Sequence, residues 1–184
     1  MKNKLLSLML FTTLILSCSG NYTPKPRGFF KFDFPVKEYS KININCPFHF
    51  QIPQYSEVFY HDECLFDVRF SIYKAQLHIT YLSLNNNLHY HIEQSRDLAY
   101  KHNIMADAIM EQVYINEESN VYGVLYDYKG MTATSVQFVL TDSISHFFRG
   151  ALYFNTEIND SILPLNNFLK EDIKHLIESF RWEN

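Results

Sequence analysis

Between Ile109 and Phe154 four runs of alternating side chains follow one another with little more than a turn between them. Ile109 to Ile115 leads through "NEESN" to "VYGVLYDY", in which Tyr122, Val124, Tyr126 and Tyr128 share a face. "KG" (Lys129, Gly130) turns the chain into "TATSVQFVL", and "TDSIS" (Thr141 to Ser145) turns it again into "HFFRGALYF". Parallel neighbours need a crossover of about a dozen residues or more, for which these connections have no room. The region is therefore predicted to be an antiparallel meander.

Upstream, "LFDVRFSIYKAQLHITYL" (Leu65 to Leu82) sets Phe66, Val68, Phe70 and Ile72 on one side and Asp67, Arg69 and Ser71 on the other. A turn near Tyr73 and Lys74 starts a second strand with Leu77, Ile79 and Tyr81 inward, which completes a hairpin. "CPFHFQIP" (Cys46 to Pro53) reads as one short half-buried strand with Phe48, Phe50 and Ile52 on its apolar face, and its prolines suit a sheet edge. Two stretches change to a helical period. Asn85 to Asn103 opens with capping asparagines and carries Leu88, Ile92, Leu98, Ala99 and His102 near one stripe, over about 16 residues. The second repeats Leu165, Phe168, Leu169, Ile173, Leu176, Ile177 and Phe180 at three and four, with Pro164 suited to its first turn. The expected class is α+β, a mainly antiparallel sheet with two covering helices.

The N-terminus carries a different signal. Lys2 and Lys4 precede a largely apolar run from Leu5 to Leu16, the layout of a secretory signal peptide. The run is too short to span a bilayer, which takes roughly 20 apolar residues. Leu14 to Cys18, "LILSC", resembles the lipobox of bacterial lipoproteins, which implies cleavage after residue 17 and diacylation of Cys18. An uncleaved membrane anchor is the alternative. "SGNYTPKPRG" (Ser19 to Gly28) has no hydrophobic period and reads as a tether reaching roughly 33 Å when extended. The expected organisation is thus a leader over 1–17, a lipid-anchored tether over 18–28 and a single domain over 29–184.

Without the leader the chain holds 14 Lys and Arg against 20 acidic residues, a net charge near −6, and no clustered basic run. Nucleic acid is therefore disfavoured as a partner. A hydrophobic content of 47% with 13 Tyr and 16 Phe excludes a disordered chain. With Cys18 acylated, Cys46 and Cys64 remain as an even pair in an exported protein. A disulfide is the economical reading, worth about 3 kcal/mol in the chain-entropy model, and two buried free thiols are the alternative.

Candidate chemistry is sparse. "HYH" (His89 to His91) and His102 invite a metal, but His91 and His102 lie about 16 Å apart along a helix, and His89 and His91 diverge around its axis. No metal site and no cofactor is expected. "TDSISH" brings Asp142, Ser143 and His146 close in sequence without a nucleophile elbow, so a turn with side chains bonded to their own backbone is the simpler reading. No catalytic residue is assigned. Arg149 beside Gly150 in "HFFRG" is either structural cement, paired with a carboxylate or laid over an aromatic face, or part of a partner-binding or ligand-binding surface, and Arg96 is either solvent-facing helix polarity or part of such a surface. Tyr126, with Tyr122 and Tyr128, either lines the core or docks another protein.

Six stretches together carry a resemblance: "YTPKPRGFF", "CPFHFQIP", "SRDLAYKHNIMADAI", "VYGVLYDYKG", "SVQFVLTDSISHFFRGALYFN" and "EDIKHLIESFRW". In this order they resemble the gliding-motility lipoprotein family GldD. The resemblance implies a cell-envelope lipoprotein required for gliding motility and the linked type IX secretion machinery and leaves its molecular activity open; a non-enzymatic role through protein contacts is the leading reading. Its partners would be other motility and secretion envelope proteins, and a membrane through the lipid anchor. The order of elements also looks like the Mog1/PsbP-type sandwich, an analogy of fold that carries no function. Ser19 supplies no inner-membrane retention Asp and the tether has no acidic cluster marking surface export, so a periplasm-facing anchor is expected. A periplasmic ligand-binding lipoprotein, with a pocket between sheet and helix, is the alternative function.

Overall fold

A computed structural model of the chain describes residues 33–101, 106–130, 132–156, 158 and 161–183. The leader, Cys18, the tether and His102 lie outside the described residues. Seven strands form one antiparallel sheet: β4 (Glu57–Asp62), β5 (Leu65–Phe70), β6 (Ala75–Ser83), β7 (Ala108–Asn116), β8 (Val121–Lys129), β9 (Thr134–Thr141) and β10 (His146–Phe154). Their spatial order is β4-β5-β6-β10-β9-β8-β7, so the meander and the hairpin meet where β6 pairs with β10. Two small sheets flank it: β1 (Tyr39–Lys41) with β3 (Gln51–Pro53), and β2 (Phe48–His49) with β11 (Arg181–Trp182).

A helix lies on each face, as expected for this α+β class. The C-terminal helix α2 (Leu163–Ser179) buries Leu165, Leu169, Ile173, Leu176 and Ile177. Opposite them stand Phe66, Val68, Leu77, Ile79, Phe138, Leu140, Phe148 and Leu152. These are alternate positions of β5, β6, β9 and β10, so strict period-2 patterning builds this half of the core. Gly150 has a packing reason here: a Cβ would fall 2.3 Å from the Phe138 ring on the neighbouring strand.

The other helix, α1 (Leu88–Lys101), lies on the opposite face over Tyr126 and Tyr128. Its buried positions are Ser95 and Ala99, and Leu98 is turned outward, unlike the predicted stripe. Small side chains at i and i+4 let the helix backbone approach the sheet closely enough for Tyr128 Oη to donate to the Ala99 carbonyl at 2.8 Å.

Other expectations are corrected. Ile72 is 78% exposed because Ser71–Tyr73 form a 3₁₀ turn closed by Lys74 at φ 50°, which ends the pleat at Phe70. Cys46 to Pro53 is two short strands that serve different small sheets, although Phe48, Phe50 and Ile52 do share the buried side. The strands β1, β4 and β11 are not among those expected from sequence.

The chain's two ends are fastened together. Asp172 of α2 is 1% exposed and accepts from Lys37 Nζ at 2.5 Å, Tyr39 Oη at 2.8 Å and Tyr55 Oη. Burial, with Asp172 as hydrogen-bond acceptor, pushes both phenols well above the ordinary tyrosine range. Phe34 stacks on Phe168 at 4.2 Å between ring centroids. The Cys46 and Cys64 sulfurs are bonded, with Cα atoms 5.7 Å apart, which ties the segment before β2 to the β4–β5 turn. Deeper in, Lys170 pairs with Asp127 of β8 and also donates to the Tyr128 carbonyl at 3.2 Å.

Candidate interaction surface

Helix α1 covers the β8–β10 half of its face. On the β4–β6 half the outward positions stay open and form a cluster around one carboxylate. Asp67 is 4% exposed, yet it projects from the side of β5 opposite the main core. His78 stands directly across from it on β6, and its Nδ1 lies 2.7 Å from Asp67 Oδ1. His61 of β4 reaches Asp67 Oδ2 with Nε2 at 2.8 Å.

Gln76 Nε2 lies 3.0 Å from His78 Nε2, so the His78 ring is held between Gln76 and Asp67. Arg69, two residues along β5, approaches Asp67 Oδ2 at 3.9 Å and lies 3.6 Å from the Phe59 ring centroid. Leu65 and Leu82 are exposed on the same face. The carboxylate is thus consumed beneath the surface, and what faces outward is imidazole, guanidinium, an aromatic ring and aliphatic groups. This composition, rich in Arg and aromatics with the acid masked, is characteristic of protein contact surfaces.

The residues singled out from sequence fall around this region. Arg149 of β10 is half-buried on the same sheet face and donates from Nη2 to Gln137 Oε1 at 2.6 Å. Burial lowers its pKa, against which the Tyr153 and Tyr128 phenols act. Arg96 of α1 is exposed, its guanidinium 5.8 Å from the Tyr100 ring centroid. Tyr126 is a correction as a surface residue. It is 5% exposed beneath α1, because the face it shares with Tyr128 receives Ala99. Hence Arg149 lies on β10 and Arg96 on α1 itself, whereas the centre of the open face is Asp67, His61, His78 and Arg69, none of them a candidate from sequence. The signal was available: counting back across the 71–74 turn places Asp67 opposite His78.

Elsewhere the polar groups do structural work. Asp142 Oδ1 accepts from the backbone N–H groups of Ile144, Ser145 and His146 at 2.8–3.0 Å, so "TDSISH" is a capped turn. His146 bonds Tyr81 Oη at 2.8 Å and stacks on Trp182. His91 bonds Asn87 and packs on Phe147. Among the described residues no group of three or more His, Cys, Asp or Glu is placed to hold a metal ion. The groove between the sheet and α2 holds about 140 Å³, lined by Tyr114, Leu125 and Ile177 among others. Ligand pockets usually occupy roughly 300–1,000 Å³, a range reached instead by open clefts of about 610 Å³ beside Cys46, Cys64 and Tyr81 and about 320 Å³ beside Asp142, His146 and Trp182.

Burial alone would raise the Asp142 carboxyl, but its three backbone N–H bonds and His146 outweigh burial and hold it below the ordinary value of 3.8. A depressed native pKa supplies stability above the unfolded value that is lost as pH falls through the native one. Asp142→Asn is therefore expected to be about 1–2 kcal/mol less stable than the parent at neutral pH. The gap should close as thermal melts are taken below pH 3.8. A gap unchanged down to pH 2 would refute this assignment.

Comparison with known families gives one assignment. The family model described as gliding motility lipoprotein GldD matches residues 19–182, nearly the whole chain. No curated protein matches the chain. Among the described residues no helix is long and apolar enough to cross a membrane.

Proposed function

This chain belongs to the gliding motility lipoprotein family GldD, and from that premise we propose that it is a non-enzymatic lipoprotein that supports the motility machinery, and the type IX secretion system linked with it, through protein contacts. Cys18 carries the acyl chains, and residues 18–28 hold the folded domain off the membrane on its periplasmic side. The observation that carries the reading is the open β4–β6 face. Phe59, Arg69, His61 and His78 are pre-ordered there around the buried Asp67. A surface already fixed in its rotamers loses little conformational entropy on docking.

The test is affinity purification of the tagged, acylated protein from crosslinked envelopes, beside the Phe59→Ala/Arg69→Ala variant. The parent should recover motility or secretion components, and the variant should lose at least tenfold of that recovery with an unchanged melting temperature. Equal recovery by both would move the contact away from this face. Recovery of no such component by the parent would overturn the contact role itself.

A further inference from the structure

At the far edge of the sheet from β4, strand β7 has no outer neighbour among the described residues. It is nine residues long, "AIMEQVYIN", and it contains no Pro, Lys or bulge against β8. Exposed edges are normally blunted by such devices, because unpaired N–H and C=O groups invite another strand. This edge instead carries Met110 at 41%, Val113 at 74% and Ile115 at 62% exposure.

We propose that β7 pairs antiparallel with β7 of a second copy, joining the two seven-stranded sheets into one. This surface is separate from the β4–β6 face, so both can be occupied at once. Three features of the molecule select a second copy as the occupant.

The first is register. A two-fold axis at Gln112 sets Ile109 opposite Ile115, Met110 opposite Tyr114 and Glu111 opposite Val113. Moving the axis to Glu111 would oppose two carboxylates, which is destabilising. Moving it to Val113 would exchange the Ile109–Ile115 and Met110–Tyr114 pairs for a single Val113 pair, and in either register Glu111 faces an apolar side chain.

The second is fit. Met110 pairs with Asp127 in β8, the residue that meets Lys170, so its side chain is on the α2 side of the sheet. In the Gln112-centred register it reaches the partner's Tyr114 at the mouth of the groove lined by Leu125 and Ile177. Each copy thus supplies a knob and a hole, as an isologous contact requires.

The third is the membrane. A two-fold axis between antiparallel strands of one sheet stands perpendicular to that sheet, so both α2 helices lie on the same side. The N-terminal segment docks on α2 through Phe34 and Lys37, so these residues of both copies lie on one side of the joined sheet, which suits two chains anchored, as proposed above, in one bilayer.

The experiment uses the full acylated chain in membranes with single cysteine substitutions, resolved on non-reducing gels after mild oxidation. Gln112→Cys should give a dimer band. Ile115→Cys, whose own symmetry mate lies about 20 Å along the neighbouring strand, should not. The unsubstituted chain controls for its native cysteines. Adding Val113→Lys and Ile115→Lys to Gln112→Cys should cut the dimer band at least tenfold while far-UV circular dichroism and melting temperature stay unchanged. No dimer at Gln112, equal dimer at Ile115, or a Gln112 adduct of some other mass would each overturn the proposal, the last by pointing to a different partner strand.

Discussion

Asp172→Ala is expected to lower the free energy of unfolding by about 3–5 kcal/mol, the usual consequence of removing one partner of a buried ion pair. The side chain is fully enclosed and accepts from an ammonium and two phenols. Its loss strands three donors between α2 and the segment that carries β1 and β3. Lys37 keeps some water and can turn outward, but Tyr39 and Tyr55 are held by their packing against α2, so relaxation recovers only part of the loss. Domains of this size have about 5–15 kcal/mol of stability in total, and the melting temperature should fall by about 10 °C. Asp172→Asn, which keeps one acceptor oxygen, should fall between the variant and the parent. Urea melts settle the matter: a change below about 1 kcal/mol would mean that the clasp adds nothing net.

Phe48→Ala is expected to destabilise by a similar amount, about 3–5 kcal/mol, through a different mechanism. Phe48 is fully buried and lies within 5.0–6.5 Å, between ring centroids, of Phe50, Phe66, Tyr81, Phe148, Phe180 and Trp182. Apart from Phe50, those neighbours come from β5, β6, β10 and the chain after α2, so no single element can shift inward to fill the space. The denaturation midpoint should drop with little change in slope. A flattened transition would instead show that the aromatic cluster keeps the native state unique.

The antiparallel meander, the 65–82 hairpin and both helices were legible in the sequence because each rests on a local period. Leu77 and Ile79, or Leu169 and Ile173, declare their face within a few residues. What stayed hidden depends on contacts far apart in the chain. Strand β4, "EVFYHD", has a mostly exposed burial pattern, so it carries no alternation to detect. Strand β11 is two residues long and exists because Phe48 and His49 are there to pair with it. The candidate surface was half legible: Asp67 and Arg69 were placed on the polar side of their strand, but His61 joins them only through the β4–β5 pairing. Tyr126 shows the opposite case. Its alternation with Tyr128 was read correctly, but which face α1 would cover depends on Ala99, twenty-seven residues earlier.

The stitching of residues 37–55 to residues 163–182 also governs when folding can finish. A chain is made and emerges N-terminus first. Asp172, the partner of Lys37, Tyr39 and Tyr55, therefore appears 117–135 residues later, and Phe180 and Trp182 complete the ring cluster around Phe48 later still. Closing loops of that length is slow compared with forming the local meander. The early segment, which carries Phe34, Tyr39, Phe48, Phe50 and Tyr55, cannot complete its packing until the final helix is available. An exported chain benefits from that delay, because a domain that cannot lock before its end has arrived remains threadable while it is being moved.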